Sequence, residues 1–590
     1  MLAGTGVAVW QARVAVEQAR IAREQGEAAR KEAKRAQAVQ AFLLDIFRRN
    51  SHQQADPLKA RATTARELLD IGAAQVDAAL KDVPEAQLEV MSVLTDMYTQ
   101  LSLNAEAQAL RWRGLEIARK TFAAKDVRLA DAILSYSQTL HTSTEREQIP
   151  GLLKEARDIL DRAGEKTTFL RGALLYETAR FWRDESLVQG RESADELVAF
   201  FKAHHPKRGT LVNGLRLAGR SRMHAFEPGE AEALFAEAVE VARQREGAAA
   251  AWLVGSLTDL SDAQWVQWKI DDAERSVRES VAMSLKVNGG THAESLLSEV
   301  KLASLLMRTG KVGDGEALAR SVLERLESKG ARYSAGTAAN IRSILASAYF
   351  ELGVPHKADA ATLADIEDLR TRFPRSSALA ARLITIAEIR IAQGRYDESD
   401  ALLRAGEAAW LGYLGEPAPA GALRTVARVR AELALARGDA AAALRLLRAV
   451  PPVQPSTAGA DPTAVLAEIQ RSEAARRAGN VGEALASADR ALAALRAVPQ
   501  LRVPVAEGRA LVALGRAQGA SGRSDEAIAT LDGAVRVHSA AGHPTSLFLA
   551  DAQIALATAL DGRDRVRARE LSSAARAIHA AAGEVGAQSR

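Results

Sequence analysis

A small residue recurs at nearly constant spacing through most of this 590-residue chain: Ala231, Ala273, Gly315, Ala358, Ser399, Ala443, Ala484, Ala527 and Ala568. The successive intervals are 42, 42, 43, 41, 44, 41, 43 and 41 residues. Ala107, Ile149 and Ala194 extend the series upstream less cleanly, with intervals of 42, 45 and 37. A chain of this length exceeds what one compact core can organise. A period in the range of roughly 20–50 residues, kept over this many copies, specifies a stack of similar units in which each packs on its neighbours.

The residues around each marker explain the spacing. The clearest copy reads LVALGRAQGASGRSDEAIATLDGAV, with Leu511, Leu514 and Gly515 on a first helix, Gly522 at a turn, and Ala527, Leu531 and Ala534 on a second. Other copies turn at Gly310, Gly353, Gly394, Gly438 and Gly479. Two helices that cross closely need a small residue at the contact. A tight helix-to-helix turn needs a backbone with φ > 0, which glycine adopts without steric cost. Strand-like alternation of β-branched and aromatic residues hardly appears, and only 4% of the chain is aromatic. The reading is an all-α chain: a right-handed superhelix of antiparallel helix pairs, about twelve units over 84–580, with a flexible tail at 581–590.

The N-terminal part differs. Residues 1–10 (MLAGTGVAVW) are apolar and are followed by Arg13, Arg20 and Arg23. Spanning a bilayer takes about 20 apolar residues, so this is half a membrane helix at most, read either as the trailing end of a truncated span or as a frayed N-terminus. From Val7 to Arg49 there is no proline and one glycine, Gly26. That predicts one long helix of about 60 Å, at 1.5 Å per residue. Val7, Val14, Ile21 and Ala28 lie seven apart, but Glu17 and Glu24 break the companion stripe, so no strong coiled coil is specified. SHQQADP then interrupts, with Asp56 as N-cap and Pro57 at the first helical position of a connector helix over 58–82, within a connector segment 50–83 that Pro84 closes.

Chemistry-bearing patterns are few. Cysteine is absent, which removes disulfides, thiolate nucleophiles and cysteine metal sites. The 78 basic and 74 acidic side chains leave a formal charge of +4, without the dense basic face of a nucleic-acid binder. Gly310-Lys311 is followed by Val312 and is a repeat turn, not a phosphate loop. No two of the ten histidines are spaced as a helical metal pair. No cofactor, metal or catalytic group is specified.

The G…[DE]-A…L…A pattern resembles the tetratricopeptide repeat, whose usual period is about 34 residues; here each helix should be about a turn longer. AVWQARVAVEQARIAREQ, together with RAQAVQAFLLDIFRRNSHQQADPLKARATTARELLDIGAAQVDAAL, is similar to the juxtamembrane region of certain bacterial eukaryotic-like serine/threonine protein kinases. In those proteins a kinase domain, one membrane helix and this connector precede a long tetratricopeptide region. The resemblance implies a sensor or docking module associated with kinase signalling, with a serine/threonine kinase as one partner. The kinase's own glycine-rich loop, catalytic loop and D-F-G are missing from these 590 residues. The alternative is the tetratricopeptide arm of a transcriptional or ATPase-linked regulator. As encoded, a cytoplasmic chain is expected, membrane-associated if an upstream membrane helix exists.

In such an array the inner surface is lined mainly by first helices. Projecting them gives Arg216 and Arg220, then Asp262 with Trp265, then Met307, then Ser343, Ser347 and Phe350, and further on Glu388, Arg428 with Glu432, and Glu473. The expected groove runs from basic and aromatic to acidic and would orient a protein or peptide ligand of complementary charge. Trp268 reads as a core residue.

Overall fold

In the computed structural model, the described residues are 64–588, apart from 102, 142, 207–208, 245–249, 329–332, 334, 416–418, 455–460, 499–500 and 502, together with part of 17–46. The apolar start, Asp56 and Pro57 lie outside them. Every described position between 17 and 46 is helical, and the connector helix is Ala65–Ala79. Thr64 caps it in a capping box, its Oγ accepting from the Glu67 N–H while the Glu67 carboxylate accepts from the Thr64 N–H.

From Pro84–Gln100 to Arg565–Gln588 there follow twenty-four α-helices, in twelve consecutive pairs, with no strand among the described residues. The tail expected to be flexible is helical through Gln588, because ARAIHAAAGEVGAQ is rich in strong helix formers. No helix among the described residues is long and apolar enough to cross a membrane.

The repeat markers sit where helices cross. Ala231, Ala273, Ala358, Ser399, Ala443 and Ala484 are all 0% exposed. At Gly315 a Cβ would lie 2.5 Å from Met307 Cγ and 2.7 Å from the Ala303 carbonyl oxygen, so not even alanine fits that crossing. Ala568 is only half-buried, since no further helix follows its own among the described residues to pack on it. Charge repeats with the same period. Glu232, Glu274 and Glu316, each one residue after a marker, receive Lys269, Lys311 and Lys357 of the next unit at 2.5, 3.0 and 2.9 Å.

The described chain forms two compact units, residues 1–177 and 178–590. In the first, Phe42 and Ile46 of the N-terminal helix pack with Val76, Leu80, Met91 and Leu94. His141 Nε2 and Glu177 Oε2 are 2.8 Å apart in its interior.

The second unit winds back onto itself. Tyr413 Oη lies 2.9 Å from His224 Nδ1 and donates to the Arg183 carbonyl at 2.8 Å. The Ser546 hydroxyl donates to the Leu352 carbonyl at 2.6 Å, and the Leu547 N–H to the Gly353 carbonyl at 2.8 Å. Partners 189 and 194 residues apart are separated by about four and a half 42-residue units, which is one turn of this solenoid.

The turn residues show how successive turns meet. Gly310, Gly353, Gly394, Gly438, Gly479 and Gly522 all have φ between 73° and 89°. The corresponding positions of two earlier units hold Phe226 (φ 62°) and Trp268 (φ 54°), the two non-glycine residues of positive φ among those described. In the first winding these positions press on the next one. Phe226 lies against Gly421, where a Cβ would come within 2.6 Å of its own Cβ, and Trp268 packs with Val465 and Val503. Gly310 faces Pro504 and Ala541, and Gly353 faces Ser546 and Phe548. Farther along, a Cβ placed on Gly394, Gly438, Gly479 or Gly522 would meet nothing within 4 Å.

Candidate functional site

Within the second unit, the two windings wall a partly open chamber of about 740 Å³. Its wall is built from both. The first winding contributes Phe226, Trp265, Trp268 and Phe350, and the second Leu466, Val503, Val505 and Phe548. A Phe226–Trp410 edge-to-face contact at 5.6 Å between ring centroids braces one side. Phe226 and Trp268 keep a left-handed backbone that a bulky side chain rarely adopts, and the packing of their rings against the second winding over-determines it.

Charged side chains also line the chamber, mostly in pairs. Arg308 Nη2 meets Glu351 Oε1 at 2.9 Å, and its guanidinium also lies 5.2 Å from the Trp265 ring centroid. Arg424 meets Asp461 at 3.3 Å. Arg428 is shared between Glu388, with which it makes a close ion pair, and Glu432 at 3.4 Å. Glu432 also accepts from Gln470 Nε2 at 2.9 Å.

Arg509 differs. Its guanidinium lies 4.5 Å from the Phe548 ring centroid, and among the described residues no carboxylate comes within ion-pair distance.

Burial sets the electrostatics. Desolvation, then the neighbouring Glu388 charge, raises the Glu432 pKa against the opposing pull of Arg428. Desolvation likewise raises Glu351, against the opposing pull of Arg308. At Arg428 burial opposes the charge, but Glu388 and Glu432 outweigh it and the pKa rises. At Arg509 burial wins and the pKa falls, since Glu432 acts only from a distance.

Of the residues projected onto the groove, Trp265, Phe350, Glu388 and Glu432 line this chamber, as do Arg428 and Ser347. Arg216 and Arg220 do not: both are held by Asp259, at 2.8 and 2.9 Å. Those two cations draw the Asp259 pKa down despite the opposing effect of its burial. Asp262 is paired with Lys301 and borders a separate space of about 210 Å³, which Trp265 also touches. Glu473 is engaged by Arg476 and Arg477 at 2.7 and 2.6 Å. Met307 and Ser343, at 0% exposure, are interior residues. The expected basic-to-acidic gradient is thus offset by a partner on the same or the adjacent unit. Trp268 is buried, at 6% exposure, and lines the chamber as well.

Projection of single units missed Arg509 and Phe548, because they arrive from the next winding. It also missed Phe226, whose signal was a bulky residue at a repeat position that glycine otherwise occupies.

No protein-family model matches this chain, and no curated protein matches it. Among solved structures it is similar to BtubC (BKLC) from P. vanneervenii, with 20% identity over 40% of this chain and 96% of that one and a TM-score of 0.29. It is similar also to the APC/C hetero-tetramer Cut9-Hcn1, with 12% identity, 84% and 87% coverage and a TM-score of 0.40. A third is a Rap protein complexed with competence and sporulation factor, with 11% identity, 64% and 97% coverage and a TM-score of 0.42. The chain's own helix order, crossing residues and turn geometry make it an all-α, tetratricopeptide-like solenoid of antiparallel helix pairs.

Proposed function

We propose that this chain is a non-catalytic protein-interaction scaffold that receives part of a partner in the chamber of its second unit. The observation that carries the reading is the chamber itself. It is concave, walled by aromatic and aliphatic side chains, and set with a few fixed charges, the composition of a recognition site. Its acids are engaged by guanidiniums, an arrangement that orients a ligand and leaves no free base beside a nucleophile. Selection of peptides on the intact protein, followed by affinity measurement, tests the reading. Val505→Trp, which fills the chamber without altering its charge, is expected to weaken selected peptides at least tenfold. Unchanged affinity in that variant would place binding elsewhere and remove the chamber from the reading.

The finer reading is a docking module for serine/threonine kinase signalling, supported by the wording of residues 1–120. The coding sequence upstream of Met1 tests it. An in-frame kinase domain and membrane helix support the reading, and a stop codon immediately upstream counts against it.

A further inference from the structure

We infer that the chamber of the second unit is a binding site for an apolar-bodied monocarboxylate, with Arg509 receiving the carboxylate and the aromatic wall the body. The inference rests on the proposed binding role of the chamber and names what it binds. Four observations converge.

The space, about 740 Å³, falls within the range of small-molecule sites, roughly 300–1,000 Å³. Its wall combines Phe226, Trp265, Trp268 and Phe548 with Val503 and Leu466, a surface that favours an apolar body over a hydrated one.

The charges select the sign of the ligand. Glu351, Asp461, Glu388 and Glu432 each already have an arginine partner, Arg428 serving two of them, so no acid of the described lining is left without a cation. Arg509 offers an unshared guanidinium on the same lining, and burial already disfavours its charge. A carboxylate delivered to it would form a charge-assisted, bidentate contact at the one arginine of the described lining that has no carboxylate within ion-pair distance. The Phe548 ring lies against the guanidinium, 4.5 Å from its carbon to the ring centroid. That one cation among the described lining residues lacks an ion-pair partner argues for one carboxylate rather than a dianion.

The backbone adds a fourth point. Phe226 and Trp268 are held at φ 62° and 54° where other units use glycine, and both face the chamber. Strain retained at a cavity wall marks residues kept for the surface they present. A free acid and the C-terminus of a peptide ending in an apolar residue share this chemistry.

The test titrates the full chain with dodecanoate and 3-phenylpropionate, and with the corresponding alcohols as uncharged analogues, by calorimetry and tryptophan fluorescence. Each acid is expected to bind at least tenfold more tightly than its alcohol. Arg509→Gln should bring the acid down to the alcohol's affinity while leaving the alcohol unchanged, and Arg509→Lys should restore part of the difference. Retained alcohol binding shows that the variant is folded. Val505→Trp should abolish both and serves if Arg509→Gln does not fold. Equal affinity of acid and alcohol, acid binding indifferent to Arg509, or no binding at millimolar ligand overturns the inference. A peptide ending in phenylalanine, with free or amidated terminus, separates the sources. Tighter binding of the free-terminus peptide than of 3-phenylpropionate identifies a chain end, and the reverse identifies a free acid. Peptides that bind independently of Arg509 would leave the scaffold reading standing and sink the carboxylate. Acid binding through Arg509 with no peptide binding would do the opposite.

Discussion

Trp268 sits at φ 54° with 6% of its surface exposed, at a position where six other units carry a glycine of positive φ. Truncating it to alanine removes a buried ring and is expected to cost about 3–5 kcal/mol. Truncating it to glycine removes the same ring, but also removes the Cβ that the left-handed backbone opposes, a relief of about 1 kcal/mol. Trp268→Gly should therefore be about 1 kcal/mol more stable than Trp268→Ala. This order is the reverse of that in a helix, where glycine is about 1 kcal/mol worse than alanine. Gly394→Ala supplies the calibration, since Gly394 has φ 73° and open space around it, and should cost about 1 kcal/mol from the backbone alone. Repeat arrays do not unfold as one two-state unit, so the assay is native-state hydrogen exchange on the amides of the Ile270–Asn288 helix, with urea unfolding by circular dichroism beside it. If Trp268→Ala proves as stable as Trp268→Gly while Gly394→Ala shows its penalty, the argument that packing holds Trp268 in a strained backbone is wrong.

Gly315→Ala places a methyl group against Met307 and the Ala303 carbonyl, and should destabilise by about 2–3 kcal/mol, clearly more than Gly394→Ala in the same exchange experiment. His538 is 1% exposed, its Nε2 has no hydrogen-bond partner among the described residues, and burial, then Arg509, lowers its pKa to about 4. Because the folded pKa lies below the ordinary value of about 6.5, its contribution is fully present above that pH and is lost as pH falls towards 4, up to about 3 kcal/mol. Stability measured at pH 7 and pH 4.5 should fall less in His538→Gln than in the parent, and an equal fall in both would contradict the assignment. Asp259→Asn removes the carboxylate that Arg216 and Arg220 share and should cost about 2–3 kcal/mol in urea unfolding, tempered by the partial exposure of Arg220. Arg404→Ala at an exposed pair with Asp400 should cost less than about 0.5 kcal/mol, and similar losses at the two sites would refute the distinction.

Much of the fold was legible because it is local. A helix pair forms from contacts within about 42 residues, so the crossing residues Ala231 to Ala527, the left-handed turns at Gly310 to Gly522 and the twelve-fold pairing could all be read along the chain. The same reading placed Trp265, Phe350, Glu388 and Glu432 on the inner surface, where they line the chamber. Partnership was not legible. Whether Arg216 is available depends on Asp259, 43 residues on, and the spacing alone does not say which side chain of the next unit will reach it. Closure was less legible still. It depends on small rotations between successive pairs that accumulate over about four and a half units until Phe226 meets Gly421 and Gly353 meets Ser546. Local sequence therefore determined a solenoid of long helix pairs with a small-residue seam. Tertiary structure alone decided that the seam curls back on itself, turns an open groove into a chamber, and leaves Arg509 as its unpaired charge.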